Sequence, residues 1–187
     1  FDIHIVGLNV DRKHSAFLAN LAGQAQVRQD RAERIAEKLS KCGFEGVLER
    51  AQSLAGVGQV TRAHFARVLV NNYGVASMEA AFKKYLGKGK RAAVKADWPS
   101  IESAIAWIHQ AGGQAILAHP AHYDMTAKWL RRLVDLFATA GGDGIETAFP
   151  GINKSKQELI NELAKSHDLL ASAGSDFHFP SRWTELG

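Results

Sequence analysis

Asp176 and His178 stand two residues apart in Ala173-Gly174-Ser175-Asp176-Phe177-His178. At the extended end of a strand, residues i and i+2 leave on the same side, so one cation could take a carboxylate oxygen and an imidazole nitrogen from this pair. Taken alone, such a triplet is more often a loop carboxylate beside a hydrogen-bonded histidine. Two further histidines, His4 and His119, also lie inside or at the end of short apolar runs. A single metal cluster would account for His119, Glu146, Asp176 and His178, which all lie at or near strand ends, whereas separate structural roles would each need a separate partner.

The bulk properties fit such a site without requiring it. A chain of 187 residues with 46% hydrophobic and 22% charged residues can bury a real core, as one domain or one domain with an insertion. Its net charge of +4 suits an anionic substrate such as a phosphate ester or a nucleic acid. The single cysteine, Cys42, cannot form an internal disulfide, which points to a reducing compartment and hence the cytoplasm. No run approaches a membrane span and no signal peptide precedes the first strand, so no membrane partner is expected. The chain opens without Met inside an apolar run and stops at Glu185-Leu186-Gly187 without a settled element, which reads as a fragment of a longer protein.

The elements that must position these residues follow from periodicity. Ile3 to Val10 suits a strand buried on both faces, in which His4 needs either a carbonyl or a metal as partner. From Ser15 to Leu39 the spacing turns helical, with Leu18, Leu21, Ala25, Ala32, Ile35 and Leu39 along one seam. Arg28 takes a seam position, either as an inward anion ligand or with its charge reaching the edge. Val47 to Leu54 reads as a short helix, broken by Gly56-Val57-Gly58-Gln59, whose glycines lack the arrangement of a phosphate loop.

Thr61 caps a helix through Ala63 to Leu69, which puts Arg62 beside free backbone N–H groups where an anion could bind. Arg62 and His64 could equally be plain surface residues. Ser77 caps a helix from Met78 to Leu86 that ends in a basic stretch, Lys83, Lys84, Lys88, Lys90 and Arg91, with two glycines among them. This reads as a flexible, positive segment, either solvated or able to close over a phosphate.

Past Trp98-Pro99 the pattern alternates. Ser100 caps a helix carrying Ile101, Ile105 and Ile108, and Gln114 to Ala118 is a strand ending at His119-Pro120. A helix from Lys128 to Ala140 turns Leu130, Leu133, Val134 and Phe137 inward. The strand Gly144 to Thr147 follows, then a helix from Ser155 to His167, then a strand from Leu169 to Ala173. Such β-α-β-α-β units predict parallel strands, with chemistry collecting at the strand ends where His119, Glu146, Asp176 and His178 lie.

His4-Ile5-Val6-Gly7, Ala118-His119-Pro120 and Gly174-Ser175-Asp176-Phe177-His178, in that order, resemble the polymerase-and-histidinol-phosphatase (PHP) family of metal-dependent phosphoesterases. Val60-Thr61-Arg62-Ala63-His64-Phe65-Ala66-Arg67 and Phe82-Lys83-Lys84-Tyr85-Leu86, with Tyr123 after Ala118-His119-Pro120, resemble its branch of nucleoside 3′,5′-bisphosphate phosphatases and 5′-to-3′ exoribonucleases.

The resemblance implies an α/β fold, a distorted (β/α)7 barrel of PHP type, incomplete here. Residues 1–11 and 96–187 would form the barrel part and 12–95 an all-α helical insertion. It implies His4, His119, Asp176 and His178 as metal ligands, His119 or His178 as the acid for the leaving oxygen, and Arg62, His64, Lys84 and Lys88 as substrate contacts. Glu146 matches no ligand position and reads as structural. The cofactors would be divalent ions, Mn²⁺ first, with Zn²⁺, Fe²⁺ or Mg²⁺ as alternatives. The partner would be a nucleotide or short RNA substrate, with no obligate protein partner implied.

Two departures stand beside the resemblance. The family's first motifs, an H-x-H with a nearby aspartate, a D-H pair and a glutamate, do not occur in this sequence, so the 187 residues alone are expected to hold metal poorly and to show little activity. Position 122 carries His where a basic residue such as Arg is expected. The rival readings are an amidohydrolase-like metal enzyme acting on another bond, and a non-catalytic PHP module that binds nucleic acid.

Overall fold

The computed structural model describes residues 2–148 and 151–176. Contacts divide the chain into two compact units, residues 1–19 with 99–187 and residues 20–98. The first is mixed α/β. Its four-stranded sheet has the order β1 (Ile5–Leu8), β2 (Gln114–Leu117), β3 (Gly144–Ala148), β4 (Leu170–Ala173).

The strands β2, β3 and β4 run parallel, as the alternating pattern predicts, because each pair is joined through a helix. The helices of this unit are α5 (Ile101–Gln110), α6 (Ala127–Thr139) and α7 (Lys154–Ser166). Ser100 caps α5 by accepting the Ser103 N–H at 3.1 Å, and Asn153 caps α7 by accepting the Ser155 N–H at 2.9 Å. On α6 the buried residues are Leu130, Leu133, Val134 and Phe137, the stripe its 3.6-residue period marks out. They close a core with Ile105, Leu117, Ile145, Ile160 and Leu163. Each such side chain contributes about 1.5–3 kcal/mol by leaving water.

The strand β1 departs from the expectation of a strand buried on both faces. Among the described residues it lies at the edge of the sheet, antiparallel to β2 with Ile5 opposite Leu117, and it leaves Val6 39% and Leu8 41% exposed. A run of apolar residues does not reveal whether a second layer covers both faces, and here only the Ile5 face meets the core among the described residues. His4, at its head, is accordingly exposed rather than enclosed in a strand.

The second unit is helical. It contains most of α1 (Ser15–Ser40), then α2 (Val47–Ala55), α3 (Arg62–Tyr73) and α4 (Met78–Ala81), which runs on into a π-turn at Phe82–Leu86. Leu39, Val47, Phe65, Val68, Leu69 and Leu86 form its core.

Two sequence expectations change here, and of the two readings of Arg28 the one with its charge at the edge holds. The α1 seam is buried only from Ala32 onward, at Ala32, Ile35, Ala36 and Leu39, while Leu18 and Leu21 are 48% and 46% exposed. Periodicity marks a face, but burial needs partner helices, and those reach only the C-terminal half. Arg28 is exposed and stands 5.3 Å over the Trp98 ring, a cation–π contact rather than an inward anion ligand. Residues 83–91, expected to be flexible, are tied down by Gly87 N–H to Phe82 O at 2.8 Å, Lys90 N–H to Gly87 O at 3.0 Å and Ala92 N–H to Tyr85 O at 2.9 Å. Among the described residues no helix is long and apolar enough to cross a membrane.

Candidate metal centre

The strand ends bring His4 and His119 together. Antiparallel pairing extends one step past β1, with the Ala118 N–H donating to the His4 carbonyl at 3.0 Å, and this sets the two histidines side by side. His4 Nδ1 and His119 Nε2 are 3.0 Å apart and the rings meet edge to face, centroids 4.8 Å apart. Two imidazoles sharing one cation at ordinary bond lengths would hold their nitrogens roughly 2.9–3.4 Å apart, so this spacing suits a shared ion as well as a hydrogen bond.

A purely structural account of His119 is unsatisfactory. Its other nitrogen, Nδ1, is buried without a hydrogen-bond partner among the described residues. Whichever tautomer forms, a polar atom is orphaned at a cost of about 1–3 kcal/mol. The backbone is strained as well: His119 has φ 32° and ψ 51° in the left-handed region, directly before Pro120, where a residue is pushed toward extended geometry. Such strain gathers at functional sites.

Three neighbours hold the pair. The His119 N–H donates to Glu146 Oε2 at 2.6 Å, and the His4 N–H donates to the Tyr123 hydroxyl oxygen at 2.9 Å. The Tyr123 ring also packs 5.5 Å from the His119 ring. Burial pushes the Tyr123 phenol up to about 12; the His4 N–H pulls it down, while the Glu146 and Asp176 carboxylates push it further up. His122 stacks on His119 at 5.7 Å, and its Nδ1 lies 3.6 Å from Asp176 Oδ2. The His at position 122 therefore meets a site carboxylate. Asp176 is also left-handed, at φ 49°.

Of the expected ligands, His4 and His119 are joined directly, Asp176 is tied to them through His122, and His178 lies outside the described residues. Among the described residues no group of three or more His, Cys, Asp or Glu side chains is placed to hold a metal ion. The donor set of imidazole and carboxylate still fits a divalent ion, with two donors already at a working separation.

The expected substrate contacts all lie in the helical unit. Arg62 is half-buried in the first turn of α3. His64 is engaged in capping, its Nδ1 accepting the Thr61 N–H at 3.0 Å in the place usually held by Glu or Gln. Lys84 is exposed and stands 5.2 Å over the Tyr85 ring, and Lys88 is exposed on the ordered turn.

Glu146 read from the sequence as structural, and its bond to the His119 backbone was not foreseen. Its signal was its place at the end of the strand next to β2, where a carboxylate can reach a neighbour's first loop residue.

No protein-family model matches the chain. It is 50% identical over 185 residues to a 5′-3′ exoribonuclease of Haemophilus influenzae, covering 99% of this chain and 67% of the relative. It is 38% identical over 179 residues to a 3′,5′-nucleoside bisphosphate phosphatase of Chromobacterium violaceum, covering 95% and 63%. The chain thus spans about two thirds of the length of these relatives. Among solved structures, a Chromobacterium violaceum protein named an amidohydrolase, with bound sulfate and no metal, superposes with a TM-score of 0.84 at 38% identity, covering 97% of this chain and 64% of that one. A candidate metal-dependent phosphoesterase of Bifidobacterium adolescentis superposes at 0.77 with 24% identity, covering 99% and 66%, a likeness of fold.

Proposed function

From a chain that belongs to the PHP-type family of 5′-3′ exoribonucleases and 3′,5′-nucleoside bisphosphate phosphatases, we propose a metal-dependent phosphoesterase that hydrolyses a nucleotide phosphoester, either a 3′,5′-bisphosphate nucleotide or the 5′ end of an RNA. The observation that carries this reading is the His4–His119 pair, 3.0 Å apart with one nitrogen of His119 buried and unsatisfied.

His4, His119, Asp176 and His178 would hold the ions, with Mn²⁺ the first choice. Bound divalent ions supply Lewis acidity that makes water a nucleophile near neutral pH and offsets charge on phosphoryl oxygens. Tyr123 keeps the backbone at His4 in place, and Glu146 does the same at His119. Arg62, with Lys84 and Lys88, would neutralise the phosphate that does not react, His64 would contact it, and His119 or His178 would pass a proton to the leaving oxygen. The reading extends to a (β/α)7 barrel carrying a helical insertion at residues 12–95, working in the cytoplasm.

The test is phosphate release from adenosine 3′,5′-bisphosphate with added Mn²⁺ by the full-length protein. We expect turnover that falls at least 100-fold in His119→Ala and in Asp176→Ala. Full metal loading without phosphate release would overturn the bisphosphate assignment. A second reading, hydrolysis of a C–N bond, draws on the amidohydrolase name of the Chromobacterium violaceum structure. Competition by inorganic phosphate or a bisphosphate nucleotide would favour the phosphoesterase over it.

A further inference from the structure

The ring of His119 lacks the usual means of being aimed. A histidine that binds a metal ordinarily donates its outer N–H to a carboxylate or carbonyl, which fixes the ring. At His119 that outer atom, Nδ1, has no partner among the described residues. Beside its ring contacts with His4, His122 and Tyr123, the ring is aimed through its backbone, which sits in a strained left-handed conformation before a proline. Something has to hold it there.

Glu146 is built to do so. Its Oε2 accepts the His119 N–H at 2.6 Å, a short, charge-assisted bond. The strand that carries it is irregular at that point. Glu146 pairs with Ser172, but Ala148 pairs with Ala173, so β3 has one residue more than β4 across this step. A bulge of this kind re-aims a side chain beside a site. The far side of the carboxylate rests on Gly174: a Cβ there would fall on Glu146 Oε1 and lie 2.9 Å from its Cδ. An alanine there would displace the carboxylate, the flexible end of the Glu146 side chain. Gly174 itself is fixed by its N–H donating to the Ala148 carbonyl at 3.2 Å.

We infer that Glu146 is a positioning residue that locks His119 into its ligand geometry, and that Gly174 is the empty seat its carboxylate requires. The inference rests on the reading of His119 as a metal ligand and goes beyond it, since it gives Glu146 a role through the His119 backbone.

The test uses the full-length protein and two readouts, Mn²⁺ affinity by calorimetric titration and amide hydrogen exchange at His119 without metal. Glu146→Ala should weaken Mn²⁺ binding about 10–100-fold, the range for lost outer-shell support, and should speed His119 exchange at least tenfold. Glu146→Gln keeps an acceptor oxygen and should stay within about threefold of the parent in affinity. Gly174→Ala should reproduce the Glu146→Ala loss, and the double variant should be no weaker than the weaker single one, because both remove the same bond.

Unchanged affinity in Glu146→Ala, or single losses that multiply in the double variant, would overturn the inference. Should Glu146→Ala fail to fold, Gly174→Ala and Glu146→Gln carry the comparison. Phosphate release is deliberately not the readout, so Mn²⁺ binding without turnover would count against the proposed function alone.

Discussion

At the scale of single residues, Tyr123 is the more exposed to test. Its hydroxyl oxygen takes the His4 N–H, and its phenol is pushed up to about 12 by burial, with the Glu146 and Asp176 carboxylates adding to the effect. The ordinary value is near 10, so between about pH 10 and 12 the unfolded chain gives up a proton that the native protein keeps. Protons bound to the native state then exceed those on the unfolded state, and stability falls with rising pH. The contribution is fully present below pH 10 and disappears as pH passes 12. Tyr123→Phe deletes that titration together with the hydrogen bond. Urea unfolding should show the variant about 1 kcal/mol less stable at pH 8, with the gap narrowing from pH 10 to 11.5. Stability curves that run parallel over that range would show that Tyr123 ionises normally.

At the scale of elements, glycines show where packing rather than conformation decides. Gly23 lies in the exposed part of α1 with open space where a Cβ would go. Gly23→Ala should therefore stabilise by about 0.5–1 kcal/mol, since it lowers the entropy of the unfolded chain and suits a helix. Gly142, between α6 and β3, has the Phe137 ring where its Cβ would fall. Phe137 is fully buried, so Gly142→Ala should cost about 1–3 kcal/mol through overpacking. Thermal denaturation of the two variants should show shifts of opposite sign; a stabilised Gly142→Ala would mean that the α6–β3 turn can yield.

The same contrast explains what the sequence made legible. The helix α5 announces itself through its Ser100 cap and apolar period, α6 and α7 through apolar period, strands β2 and β3 through short apolar runs after glycine pairs, and β4 through the short apolar run after α7. These are local signals. The edge position of β1, the exposure of Leu18 and Leu21 and the order of residues 83–91 depend on what packs against them, which no local pattern contains. In the candidate site, His4, His119 and Asp176 were legible by type and spacing. Glu146 was not, because its bond to the His119 backbone exists only through the pairing of strands and the bulge in β3.

At the scale of the molecule, two separate cores make a functional claim about independence. His4, His119, Asp176, Tyr123 and Glu146 all belong to the sheet-containing unit, and the core behind them includes Phe137 and Ile145. Phe65 is just as fully buried, but its neighbours lie in the helical unit. Truncating either phenylalanine to alanine should cost about 3–5 kcal/mol within its own core. The consequences for the metal centre should differ. Phe137 packs in the same core as Leu117, which ends the strand leading to His119, and Ile145, whose strand carries Glu146, so Phe137→Ala should loosen both and weaken Mn²⁺ binding by about tenfold or more. Phe65→Ala should unfold the helical unit more easily while leaving Mn²⁺ affinity within about threefold. Calorimetric titration at a temperature where both variants remain folded separates the cases. Equal loss of affinity in the two would overturn the independence of the two cores.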